Sequence, residues 1–255
     1  MERQTHPQEL KINNDFYEQL AEGWYTAYDH PVALLRAENA VRTPWVLEEI
    51  RRSIKQKASV LDIGCGAGLL SNALAQDGHT VSGIDLSEGS LKVAKKYDVT
   101  GRVDYRKANA YSLPYPDQSF DAVCAMDVLE HVEEPHLLIA EASRVLKDKG
   151  LFFFHTFNRN WLSYLFIIKG VDWFVKNAPK NMHVYPLFIK PQELEEIFET
   201  YNLKTETLIG LKPQILTRSF FQMIFTRKVP KDFRFCFSKS IATGYCGIAQ
   251  KVLLA

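Results

Sequence analysis

The sequence predicts an α/β fold: a mostly parallel sheet with helices on both faces and an antiparallel edge. Two observations predict it. Short apolar runs alternate with stretches of helical spacing through the middle of the chain, the pattern of strands buried on both sides. And a glycine loop, "GCGAG" at 64–68, joins the first such run to the first such helix, a backbone that turns sharply and lets something approach closely.

Taken in order, "SVLDIGC" (59–65) is a short apolar run before glycine, and "LLSNALAQDG" (69–78) is a helix ending at a glycine stop. "TVSGIDLS" (80–87) is a strand whose Ser87 caps the helix "EGSLKVAKKY". "VDYRKANA" (103–110) and "FDAVCAMDV" (120–128) are the third and fourth strands. "EEPHLLIAEASRVLKDKG" (133–150) is a helix with an acidic start, a basic end and a terminal glycine, and "LFFFHTFN" (151–158) is the fifth strand. Beyond 158 the rhythm changes. An aromatic-rich insert (159–185) leads to the helix "KPQELEEIFETY" (190–201), and "FRFCFSKS" and "GYCGIAQKVL" form a terminal antiparallel pair.

At 255 residues and 46% hydrophobic, the chain suits one α/β domain with a sizeable core. A net charge of +1 argues against a nucleic-acid partner, but the charge is uneven. Residues 1–158 hold 17 Lys and Arg against 23 Asp and Glu; residues 159–255 hold 14 against 7, so a charged partner would meet the C-terminal part. Four scattered cysteines without metal-like spacing fit reduced thiols. The start, "MERQTHPQELKINNDF", has no apolar core of a leader, and the longest apolar run, "WLSYLFII" (161–168), is far short of the ~20 residues that span a bilayer. The expectation is a cytoplasmic protein, peripheral at most.

The glycines follow G-x-G-x-G, with Leu69 where a G-x-G-x-x-G dehydrogenase loop places its third glycine. Asp62 precedes them inside the strand, and Asp85 closes the next strand, where a carboxylate takes both hydroxyls of a ribose in NAD or adenosyl cofactors alike. The glycine spacing separates the two: the stretch resembles the first motif of class I S-adenosylmethionine (SAM) methyltransferases. That resemblance implies a Rossmann-like sheet of seven strands, mostly parallel with an antiparallel edge. It also implies a SAM site made by Asp62, Gly64, Gly66, Gly68, Asp85 and Leu86, with Asn109 and Ala110 against the adenine and Met126 at the end of the fourth strand.

In "CAMDVLEHVEEP", Asp127, Glu130 and His131 stand at i, i+3 and i+4, on one face of a helical turn. Such a set can hold a divalent cation; a neutral histidine can instead take a proton, or simply line a pocket. Together with "FYEQLAEGWYTAYDHP" and the block "FNRNWLSYLFIIKGVDWFVKNAPKNMHVYPLFIKPQEL", these stretches resemble the ubiquinone-biosynthesis O-methyltransferases over about residues 13–213. The resemblance implies SAM-dependent methylation of a phenolic or catechol hydroxyl on a polyprenylated ring. Arg42 of "NAVR" would pair with the SAM carboxylate, His131 and Glu130 would be catalytic, and Asp127, Glu130 and His131 would hold a cation such as Mg. The last 40 residues depart from the family pattern.

The same resemblance organises the chain as one methyltransferase domain over 1–255, with an N-terminal helical cap at about 9–57 and a lid at about 159–190. Trp161, Phe166 and Trp173, interleaved with Arg159, Lys169 and Lys176, suit either a lid over the SAM pocket or contact with an anionic membrane at its inner, cytoplasmic face. The expected partners are a lipophilic phenol and a quinone-biosynthesis complex. Methylation of another small acceptor, or a non-catalytic SAM-binding accessory role in such a complex, stand as the alternatives.

Overall fold

The computed structural model describes residues 12–253 except residue 55; most of the start read above for a leader, and the first residues of the helical cap, fall at 1–11, outside the described residues. Helices α1 (Phe16–Gln19), α2 (Gly23–Thr26) and α3 (Val32–Ser53) precede β1 (Ser59–Ile63). There follow α4 (Leu69–Gln76), β2 (Thr80–Asp85), α5 (Glu88–Tyr97), β3 (Asp104–Lys107), β4 (Phe120–Met126), α6 (Pro135–Val145) and β5 (Leu146–Phe157). The insert forms α7 (Trp161–Ser163), a π-helical stretch (Tyr164–Lys169) and α8 (Gly170–Phe174). Then come α9 (Pro191–Thr200), β6 (Leu203–Pro213), α10 (Arg218–Thr226), β7 (Phe235–Ser238) and β8 (Gly244–Lys251).

The strands form one sheet in the order β3-β2-β1-β4-β5-β8-β6-β7. β1 to β5 run parallel, and β8 is antiparallel to both β5 and β6. Both faces are covered. Phe152 and Phe154 pack with α6 and α9, while Phe153 between them packs with α3 and α4 on the other side. Order reverses at β1, whose neighbours are β2 and β4, so the carboxyl ends of these strands open a crevice there.

The sheet departs from the expected one at its edge. It has eight strands rather than seven, and the two terminal segments read as an antiparallel pair do not pair with each other. β6, which the sequence reading missed, lies between them, bonded to β8 on one side and β7 on the other. The reason is burial: the first six residues of β8 are all buried, so it needs neighbours on both sides, whereas β7 is mostly half-buried and suits an edge. The helix expected over 133–150 also stops early, at Val145, because Leu146 already pairs with Phe120 in the sheet. Ser87 caps α5 as expected, its side chain accepting the Ser90 N–H.

Candidate active site

Gly64, Gly66 and Gly68 all take left-handed backbone, at φ 68°, 52° and 77°. A Cβ on Gly68 would lie 2.2 Å from the Tyr105 hydroxyl, so only glycine lets α4 start this close to β3. Gly64 and Gly66 line a cavity of about 1220 Å³ that opens at the reversal of strand order; Gly68 and Arg42 do not. Asp62, Asp85, Leu86, Asn109, Ala110 and Met126 do reach it.

The two acids differ in role. Asp62, 3% exposed, accepts the Ser71 hydroxyl at 2.5 Å, and burial pushes its carboxyl up to about 7. It ties the end of β1 to the first turn of α4. The Asp85 carboxylate accepts the N–H groups of Gly66 at 2.9 Å and Ser87 at 2.8 Å; burial raises it, and those two donors pull it back. Asn109 accepts the Tyr111 N–H at 2.9 Å through its side-chain oxygen, so that oxygen is already partly occupied. Leu86 is 64% exposed at the rim, an open apolar surface for a flat ring.

Arg42 stands elsewhere. Its side chain is 1% exposed on α3, and its guanidinium forks onto both oxygens of Asp127 rather than facing the cavity. Asp127 also bonds His155 Nδ1, and Arg42 and His155 together hold the Asp127 carboxylate far below the usual range despite its burial. The expected cation set of Asp127, Glu130 and His131 is therefore not assembled. Among the described residues, the acid and imidazole donors that do converge, within 4.8 Å of one another, are Glu38, Asp127 and His155. With Arg42 bonded across Asp127 and 3.7 Å from Glu38, that position already holds a cation, and the donors do not fit a metal ion.

Glu130 and His131 sit on the turn after β4 and line the cavity. Glu130 is fully buried, and neither of its oxygens makes a well-formed hydrogen bond; the Thr156 hydroxyl lies beside it and opposes the effect of burial on its carboxyl. Burial and the Asp127 charge raise the Glu130 carboxyl well above its ordinary value, which favours its neutral form. Burial draws His131 down to about 4, so its imidazole is neutral as well.

Asn14, which sequence reasoning did not reach, fixes the imidazole: its amide nitrogen donates to the His131 carbonyl at 3.1 Å, turning its oxygen to His131 Nδ1 at 3.0 Å. Nδ1 then carries the proton and Nε2 the lone pair. His183 was likewise missed. Its ring lies 5.3 Å from that of His131, and burial draws it down to about 3. Nothing in the sequence ties Asn14 to a residue 117 positions away, but a histidine interrupting "LFFFHTF" was a visible sign of the Asp127–His155 contact.

A methyltransferase domain model matches residues 61–154. The ubiquinone biosynthesis O-methyltransferase of Thiobacillus denitrificans is 39% identical over 208 residues, 80% of this chain and 88% of that protein. The chain belongs to the ubiquinone biosynthesis O-methyltransferase family. The protein of that name from Dechloromonas aromatica is 38% identical over 210 residues, covering 81% of this chain and 88% of its own.

Among solved structures, a SAM-dependent methyltransferase from Methanosarcina mazei shares the fold at a TM-score of 0.56 and 22% identity, over 81% of this chain and 98% of that one. Magnesium protoporphyrin IX methyltransferase from Synechocystis, solved with bound SAH, does so at 0.56 and 18%, over 82% of each chain. This member of the family is thus a SAM-dependent methyltransferase with the class I fold. Among the described residues, no helix is long and apolar enough to cross a membrane.

Proposed function

We propose that this enzyme methylates a phenolic hydroxyl on a polyprenylated ring precursor of ubiquinone, working as a single domain over 1–255 capped by α1–α3 and lidded by the insert. One observation carries the reading: a single cavity runs from the glycine loop and Asp85, past His131 and Glu130, to apolar walls supplied by the insert and α10. SAM supplies an electrophilic methyl group on its sulfonium. Gly64 and Gly66 give it bare backbone, Asp85 takes the ribose hydroxyls in place of loop N–H groups, and Leu86, Asn109, Ala110 and Met126 flank the adenine side.

The phenol is nearly all protonated at neutral pH, with a pKa of about 10. His131 Nε2, held in place by Asn14, would accept its proton. Glu130, pushed by burial towards its neutral form, is a donor beside the acceptor oxygen. Phe166, Trp173 and Phe220 shape an apolar channel for the tail, and the exposed insert aromatics meet an anionic membrane where such a substrate resides.

The test is methyl transfer from labelled SAM to a prenylated catechol, to a tail-less catechol and to polar amines. The expected order is prenylated first and amines inactive. His131→Ala is expected to cut turnover roughly 10²- to 10⁴-fold while calorimetric SAM affinity stays within about threefold. Equal loss of SAM affinity would remove His131 from the chemistry.

A further inference from the structure

At the edge of the sheet α10 connects β6 to β7. α10 turns Ser219 and Met223, four residues apart, inward, and Met223 and Phe220 pack with Val171 and Val175 from the insert. Its opposite side mixes Arg218, Gln222 and Thr226 with exposed aromatic rings. Phe221 and Phe225, again four apart, are 49% and 82% exposed, and Ile215 and Leu216 just ahead are 55% and 88% exposed. Single exposed apolar residues are ordinary, but a cluster of this kind marks a contact surface.

The cluster is joined to the insert. Arg227 donates to the Asp172 carbonyl at 3.1 Å, and the Lys176 N–H donates to the Arg227 carbonyl at 3.0 Å. On the insert side Trp161 is 70% exposed, and Phe166 and Trp173 are exposed as well. Both elements line the same cavity, through Phe166 and Trp173 on one and Ile215 and Phe220 on the other. The cavity therefore ends between two greasy arms.

Charge says what they face. Over residues 207–255 one acid, Asp232, stands against eight Lys and Arg. Arg218, Lys228, Lys231 and Arg234 are exposed and in no ion pair among the described residues. Apolar side chains flanked by cations that no carboxylate neutralises fit an anionic lipid surface.

We infer that the segment from Ile215 to Lys228 is a second membrane arm, seated in an anionic bilayer beside the insert so that the cavity mouth opens at the lipid boundary. This rests on the membrane reading of the insert and extends it to an element that reading did not include. Leu216 and Phe225 do not line the cavity, so their replacement leaves the chemistry alone.

The experiment is co-sedimentation of the full chain with phosphatidylcholine vesicles, with and without phosphatidylglycerol. It compares wild type with the double variant Leu216→Asp, Phe225→Asp and with Trp161→Asp. Wild type is expected to sediment with the anionic vesicles only. The double variant is expected to lose at least about tenfold in partitioning, with unchanged melting temperature and unchanged turnover of a tail-less catechol. If only Trp161→Asp loses binding, the second arm is wrong and the insert reading stands. If wild type ignores both vesicles, both membrane readings fall, whatever the catechol assay gives. A concentration-dependent dimer dissolved by the double variant, with vesicle binding intact, would assign the face to a second copy of the chain and overturn the proposal.

Discussion

Asn14 decides where the proton sits on His131. Its amide can satisfy the His131 carbonyl only by offering nitrogen, which commits its oxygen to Nδ1 and leaves Nε2 unprotonated. Without that partner both neutral tautomers are open to the ring, and the one protonated at Nε2 cannot accept a phenol proton. Asn14→Leu is therefore expected to bring the Nε2-protonated form into the ¹⁵N spectrum of His131 and to lower kcat roughly ten- to a hundredfold with KM nearly unchanged. Asn14→Asp keeps an acceptor against Nδ1 and is expected to keep the wild-type tautomer. An unaltered spectrum in the Leu variant would leave Asn14 with a purely structural role.

At the scale of elements, buried Arg42 clamps α3 to the end of β4 through Asp127, and Asp127 in turn holds His155 of β5. A carboxylate this buried keeps its charge only because the guanidinium meets both oxygens. Arg42→Met is thus expected to cost about 3–5 kcal/mol, read as a large fall in melting temperature, by stranding that charge; replacing Asp127 with Asn in the same chain should recover part of it. The clamp also shows what the sequence could and could not tell. Local signals were legible: the glycine spacing, the Ser87 cap, and the acids at 62 and 85 all stand where β1 and β2 put them. Arg42 was sought at the cofactor because a motif describes neighbours along the chain, whereas its partner is 85 residues away and set by how α3 packs. β6 was lost for a related reason. Its mixed "LKTETLIGLKP" burial is that of a strand half-covered by other segments, so its pattern acquires meaning only once β8 lies beside it.

Across the whole molecule, proton uptake and stability are coupled through groups that pull in opposite directions. His131 and His183, at about 4 and 3, are buried neutral, so the unfolded chain binds protons they refuse; stability is lost as pH falls below about 6.5, their ordinary value. Glu130 works the other way. Its folded pKa is raised, so the folded chain holds a proton that the unfolded chain releases above about 4.3, and stability is lost as pH rises from there towards the folded value. Glu130→Gln keeps the shape and removes only this second trend. Its melting temperature, measured without cofactor, is expected to gain on wild type as pH rises from about 5 towards the folded value, by up to about 1.4 kcal/mol per pH unit, or roughly 3–5 °C in a chain of this size. The margin matters more than its sign at any one pH, because the buried amide has its own unmet hydrogen bonds to carry at all of them. A margin that stays flat over that range would mean Glu130 is ionised in the folded protein, and the neutral donor beside the acceptor oxygen would have to be found elsewhere.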